Sequence, residues 1–295
     1  SPLLFNIFVN DMPHAINGCN IYQYADDTLL TSRHINFSCA VNILQTNATH
    51  LMDWFVDNLL DINSSKTKLV CFRNPLKRHH ASLRFILHSS SCHLCNCDPI
   101  KSVNNVKYLG VHFDFDMSWN THMSYLCGKL RTISCMLYNT RVFMPVNVRC
   151  LLVHALAYSV LRYGITVFGI CSGRWQAKVN TLLRGILKNI IYNMPLSATA
   201  DIFESLQLPN FHSLFIETVL LRNFWSSDYK TPLHSSRTLR SSPRFAVPRC
   251  CTRYGKCSRE SYVPRVFNAL PDYILDVTSL KTLKKELKCL NLDSF

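Results

Sequence analysis

Apolar residues recur along this chain with two different periods, and the change of period divides it. Leu3, Leu4, Ile7 and Phe8 fall three and four apart, the spacing of one helical face, so residues 1–12 read as an amphipathic helix. Two short runs follow, Asn20 to Tyr24 and Thr28 to Ser32, and predict a β-hairpin over 19–32. Val41, Leu44, Ala48, Leu51, Phe55 and Leu59 restore the helical spacing over 38–60, and Asp61-Ile62-Asn63 is a turn signal. Strand patterns return at 68–73, 83–88, 98–102 and 106–113. Beyond Asp116 long helical periods dominate, at 118–141, 146–169, 174–192 and 210–226, with breaks at Pro145, Gly173 and Pro209-Asn210. The expected fold class is α+β, an antiparallel sheet with helices followed by a mainly α-helical region.

Residues 150–170 are apolar enough to suggest a membrane span. They hold His154 and Arg162, and an arginine near a helix centre costs about 2.5–3.5 kcal/mol on insertion. A buried helix with Arg162 at its edge is the better reading, so no membrane partner is expected.

Composition narrows the class. With 295 residues and 48% hydrophobic content the chain can fill real cores and is long enough for two domains. The formal net charge of +14 exceeds what solubility needs and points to a polyanionic partner, with nucleic acid favoured over an acidic membrane surface. The 14 cysteines are scattered through apolar segments, for example Cys127, Cys135, Cys150 and Cys171, with no leader pattern at the start. They read as reduced thiols of an intracellular protein, in cytoplasm or nucleus. Cys92 and Cys95 have zinc-knuckle spacing within Cys92-His93-Leu94-Cys95-Asn96-Cys97, but no second ligand pair is evident downstream, so loop thiols are the default reading.

The densest chemistry lies in Tyr24-Ala25-Asp26-Asp27. Two adjacent carboxylates at a hairpin reversal repel each other, and a divalent cation with a preference for hard oxygen removes that penalty. The plainer reading is a well-solvated turn, since aspartate tolerates turn geometry.

The ordered motifs around this tip resemble one family. SPLLFNIFVNDMP (1–13) followed by YADDT (24–28) resembles motifs B and C of reverse transcriptases, specifically those of non-LTR retrotransposons of the jockey type. WFVDNLLDINSSKTKLVCF (54–72) resembles motif D, with Asn63, Lys66 and Thr67 on pattern, and VKYLGVHFD (106–114) resembles motif E. SWNTH (118–122) is similar to the start of the thumb. The tail from Ser261 to Leu287 is similar to the stretch that closes these reading frames.

The resemblance implies a partial reverse-transcriptase palm over 1–116, a helical thumb-like domain over 117–228, and a basic arm with C-terminal helices over 229–295. It implies that Asp26 is the principal metal carboxylate and that Asp27 assists, holding two Mg²⁺ ions in the intact enzyme. Tyr24 and Ala25 would shape the turn. Ser1, Pro2 and Asn6 would border the template and incoming nucleotide, and Tyr108, Leu109 and Gly110 would grip the primer. Lys66 would contact phosphate or donate a proton to pyrophosphate; a surface lysine in a lysine-rich run is the alternative. The implied partners are an RNA template, a DNA primer, dNTPs and a missing N-terminal part of the same polyprotein. Motif A and the fingers have no counterpart here, so the polypeptide taken alone is expected to lack polymerase activity. A non-catalytic nucleic-acid-binding palm–thumb protein and an unfolded relic are the competing classes.

Residues 230–265 carry nine basic side chains, among them Arg237, Arg240, Arg244, Arg249 and Arg253, against the single acid Glu260. This stretch reads either as an arm on phosphates, with Tyr229, Phe245, Tyr254 and Tyr262 stacking on bases, or as a solvated linker.

Overall fold

A computed structural model describes residues 2–74, 84–92, 97–192, 201–228, 230–232, 244–290 and 292. Ser1, Cys95, Arg237 and Arg240 lie outside the described residues, and so does Tyr229. Cα proximity divides the chain into two compact units, Ser1–Val106 and Lys107–Phe295. Helices and two-stranded antiparallel ribbons make it α+β.

The first unit opens with helix α1 (Pro2–Phe8) and a 3₁₀ turn (Met12–Ala15) that carries Pro13 near its start. The helix expected over 1–12 stops early because Asn10, Asp11 and Pro13 favour turns over helix. Strands β1 (Asn20–Tyr24) and β2 (Asp27–Thr31) form an antiparallel hairpin. Helix α2 (Phe37–Asp57) is N-capped by Asn36, whose side chain accepts from the Ser38 amide at 3.0 Å.

Two small apolar clusters hold this unit. One joins Val9 and Met12 to Leu51 and Trp54 of α2, and the other joins Ala48 to Phe85 and Ile100. The hairpin alternates as its period requires. Ile21 and Leu30 oppose each other and pack toward the clusters, while Tyr22 and Leu29 oppose each other on the exposed face. None of the α1 side chains is buried; Leu3, Leu4 and Ile7 are each about two-thirds exposed.

The strands expected at 68–73, 83–88 and 98–102 shrink to isolated bridges, Leu69 with Ser102 and Ile86 with Pro99. The reason is local. Pro99 has no amide to donate. The Gln45 side chain captures both polar groups of Ile86, donating to its carbonyl at 2.6 Å and accepting from its amide at 3.1 Å. A ladder cannot propagate through a residue whose backbone is already paired with a glutamine.

The second unit begins within strand β3 (Asn105–Tyr108), which turns through Leu109-Gly110 into β4 (Val111–Asp114). Both turn residues are left-handed, with φ of 45° and 79°, as a type I′ hairpin requires. The single run expected at 106–113 is therefore a hairpin. Helix α3 (Asn120–Thr140) follows a left-handed Trp119 that gives it no side-chain cap. Asp114 supplies the cap instead. Its carboxylate accepts from the Thr121 amide at 3.2 Å, the Thr121 hydroxyl at 2.5 Å and the Ser118 hydroxyl at 3.2 Å.

The helix expected over 146–169 is segmented into α4 (Val146–Leu152), a π-helical stretch (Val153–Tyr158), α5 (Ser159–Arg162) and α6 (Ile165–Phe168). The break falls at Gly164, left-handed at φ 70°, where a Cβ would meet a Val111 methyl at 3.2 Å. Arg162 pairs with Glu217 at 3.3 Å. Among the described residues no helix is long and apolar enough to cross a membrane.

Helices α7 (Gly173–Leu187), α8 (Ile202–Ser205) and α9 (Phe211–Asn223) complete a core around Met123, Leu161, Phe168, Leu183 and Phe211. The tail helices α10 (Arg253–Lys256), α11 (Arg259–Asn268), α12 (Asp272–Leu275) and α13 (Leu280–Cys289) follow. Val263, Phe267, Ile274 and Leu283 of this tail lie in the same core cluster.

Two stability predictions follow from the second unit. Asp114→Ala should lower its unfolding free energy by about 1–3 kcal/mol, because three donors lose one buried acceptor; urea titration checks this, with Asp116→Ala as the weaker control. Burial of the His122 imidazole pushes its pKa down to about 4, with His112 adding to the shift. The unfolded chain takes up that proton near pH 6.5, so stability should be complete above that value and fall as pH drops from 6.5 toward 4. Melting temperature against pH checks this, and His122→Gln should flatten the profile.

Candidate active site

The last pair in the first hairpin is Tyr24 with Asp27, which leaves Ala25-Asp26 as a two-residue turn. Ala25 has φ of 51° while Asp26 stays outside the left-handed region, the pattern of a turn that prefers glycine at its first central position. A side chain held there costs about 1–2 kcal/mol. The register puts Asp26 at the apex. Asp27, paired with Tyr24, shares the outward face with Tyr24 and Tyr22, which are 66% and 54% exposed.

Both carboxylates are exposed, and among the described residues neither has a hydrogen-bond or ion-pair partner. Two adjacent hard-oxygen donors suit a divalent cation such as Mg²⁺ in chemical type. Among the described residues no group of three or more His, Cys, Asp or Glu side chains gathers as a metal cluster, so the pair supplies only part of a coordination shell.

Lys66 is exposed on a turn organised by Asn63, whose side-chain oxygen accepts from the Lys66 amide at 3.1 Å and the Ser65 hydroxyl at 2.6 Å. No ion pair joins Lys66 to Asp26 or Asp27. Pro2 and Asn6 sit exposed on α1. In the second unit Leu109 and Gly110 form the apex of their hairpin directly after Tyr108. The Tyr163 hydroxyl donates to the Leu109 carbonyl at 2.6 Å, a clamp that sequence reasoning missed because 54 residues separate the partners.

The basic stretch divides. Arg249 and Arg253 are exposed. Arg244 is tied into the fold, ion-paired with Asp272 and donating to the Leu270 carbonyl. Two aromatics read as base-stacking side chains belong to the interior. Tyr262 is 7% exposed and donates to the Thr166 carbonyl at 2.9 Å, and Phe245 packs on the core with its backbone bonded to the Asn268 amide group. Their apolar surface gains more from burial among helices than display in solvent would allow.

An acidic-tipped hairpin behind a helix is the arrangement that the motif series implied, and comparison with known proteins gives it a class. Residues 1–113 match the family described as reverse transcriptase (RNA-dependent DNA polymerase). The chain is similar to the RNA-directed DNA polymerase from mobile element jockey of Drosophila funebris, 25% identical over 218 residues, covering 70% of this chain and 23% of the relative. It is also similar to the probable RNA-directed DNA polymerase from transposon X-element of Drosophila melanogaster, 29% identical over 134 residues, 44% of this chain and 14% of the relative. The chain thus spans less than a quarter of either relative's length. No solved structure matches it significantly.

Replacing Ala25 with glycine should remove the left-handed penalty and stabilise the hairpin by about 1 kcal/mol. Amide hydrogen exchange at Tyr24 and Asp27 is the readout, and slower exchange is expected.

Proposed function

We propose that this chain carries part of the catalytic apparatus of an RNA-directed DNA polymerase. In this reading residues 1–116 are the distal palm, 117–228 a thumb-like helical domain, and 229–295 a basic C-terminal region. The observation that carries it is the hairpin register, which sets Asp26 at the apex and Asp27 on the open face within a segment of reverse-transcriptase sequence.

Asp26 and Asp27 would hold Mg²⁺, the remaining ligands coming from water, substrate phosphates and other carboxylates. Bound there, two such ions supply Lewis-acid stabilisation of the attacking and leaving oxygens of an in-line phosphoryl transfer. The chain's own side chains position the partners. Tyr22 and Tyr24 offer flat apolar surface beside the acids for a nucleotide or primer terminus. Lys66, exposed and free to move, neutralises phosphate charge. The Leu109-Gly110 turn, fixed by Tyr163, presents backbone to a primer strand. Arg249 and Arg253 add sequence-independent attraction to an RNA template and DNA primer. The net charge of +14 supports a polyanionic partner.

The test is manganese titration of the isotopically labelled chain with an RNA–DNA primer-template and dNTP present. Paramagnetic broadening should centre on residues 24–28 and vanish in the Asp26→Asn, Asp27→Asn double variant. Broadening elsewhere, or none, sinks the metal assignment.

A further inference from the structure

The second unit holds a cavity of about 280 Å³ lined by Gly110, His122, Tyr125, Leu126, Lys129, Ser159, Val160 and Tyr163. Its chemistry is one-sided. Among the described residues no aspartate or glutamate lines it, whereas Lys129 brings a full positive charge, 4.7 Å above the Tyr125 ring. His122 is 1% exposed, and its Nε2 has no hydrogen-bond partner. Its Nδ1 accepts from the His112 amide at 3.4 Å, so the ring proton resides on Nε2 and makes that buried atom a donor. A buried donor without an acceptor costs about 1–3 kcal/mol, and a ligand that offers an acceptor recovers it. Asp114, the carboxylate nearest in charge to His122, is committed to Ser118 and Thr121 and does not line the cavity.

Two further features mark the place as built. The wall formed by Ser159, Val160 and Tyr163 follows directly on the π-helical stretch Val153–Tyr158, a rare geometry that concentrates at functional sites. The hydroxyl of Tyr163 is tied to the Leu109 carbonyl, and a Cβ on Gly110 would meet the Tyr163 ring at 3.2 Å. A side chain at Gly110, whose φ is 79°, would be strained and would crowd that ring at the rim.

We propose that this cavity is an anion site that takes a phosphate group, received by the Lys129 ammonium and the His122 Nε2–H, with the Tyr125 hydroxyl as a third donor. A neutral buried N–H beside a mobile cation suits an oxyanion better than a cationic ligand, which Lys129 would repel. Nothing in the proposal depends on the metal reading of Asp26 and Asp27. The phosphate can be that of a free nucleotide or of a nucleic-acid backbone, since both present the same oxygens.

The experiment uses the full chain and follows the His122 ring nitrogens by long-range ¹H–¹⁵N correlation. Inorganic phosphate, AMP and a single-stranded oligonucleotide are added separately. Binding should move the Nε2 resonance, and Lys129→Met, a change at an exposed position, should weaken that binding at least tenfold. A response to phosphate and AMP assigns a free-nucleotide site; a response to the oligonucleotide alone assigns a backbone phosphate. No Nε2 response to any of the three, or equal affinity in Lys129→Met, overturns the proposal and leaves a water-filled cavity. Asp26→Asn should bind phosphate here like the parent chain, so failure at the acidic tip and failure at this cavity are told apart.

Discussion

The register of one short hairpin controls the chemistry of the first unit. Pairing Tyr24 with Asp27 leaves only Ala25 and Asp26 to reverse the chain. A slip of β2 by one residue would turn Leu30 outward and drive Leu29 and Asp27 against the clusters. Burying an unpaired carboxylate costs far more than the left-handed strain at Ala25, so the strained turn is the cheaper solution. The apolar partners of Ile21 and Leu30 on α2 therefore hold two carboxylates in solvent without touching them.

Local and tertiary demands are met in a different way in the second unit. Its core is large, and the tail helices contribute Val263, Phe267 and Leu283 to it. Against that mass, special backbone sits where the ribbon meets the helices: left-handed Leu109, Gly110, Trp119 and Gly164, and the π-helical turn before Ser159. At Leu109 and Trp119 this costs local energy that a surrounding structure imposes, whereas Gly110 and Gly164 adopt it freely. Tyr163 clamps the ribbon through the Leu109 carbonyl, and Asp114 at the ribbon's end caps α3. The ribbon is small, but it is fastened at both ends.

Much of this was legible in the sequence where period alone decides. The hairpin bearing Asp26 and Asp27, helix α2 and the long helices α3, α7 and α9 follow from spacing, and turn residues marked their ends. The failures have physical causes. The strands at 83–88 and 98–102 were lost to a side chain 41 residues away from Ile86, which no periodicity reveals. The run over 146–169 reads as one helix because Gly164 is tolerated within a helical pattern until Val111 packs against it. Tyr262 looked like a ring on a basic arm because the surrounding arginines dominate the local composition, yet Val263, Val266 and Phe267 mark a buried face of α11. The cavity residues His122, Tyr125 and Lys129 share one face of α3 at spacings of three and four. That signal was present, but the residues' solvation is set by Ser159 and Tyr163, distant in sequence.

Charge placement sets Asp26 and Asp27 apart from the other acids. The chain has 32 lysines and arginines against 18 acids, so a carboxylate here has cations in plenty to choose from. Glu217, Asp201 and Asp272 each take an arginine, and Asp53 and Asp114 take hydrogen bonds from backbone or hydroxyl donors. The adjacent pair at the hairpin tip takes none of these among the described residues, although mutual repulsion makes it the place where a countercharge would relieve most. An arginine there would satisfy the pair permanently and occupy the oxygens. Leaving them bare keeps four lone-pair-bearing oxygens available to a cation from solution, and a small divalent ion relieves two like charges at once where a guanidinium relieves one. In the proposed reading that cation is an exchangeable divalent metal, since no lysine or arginine among the described residues pairs with either carboxylate.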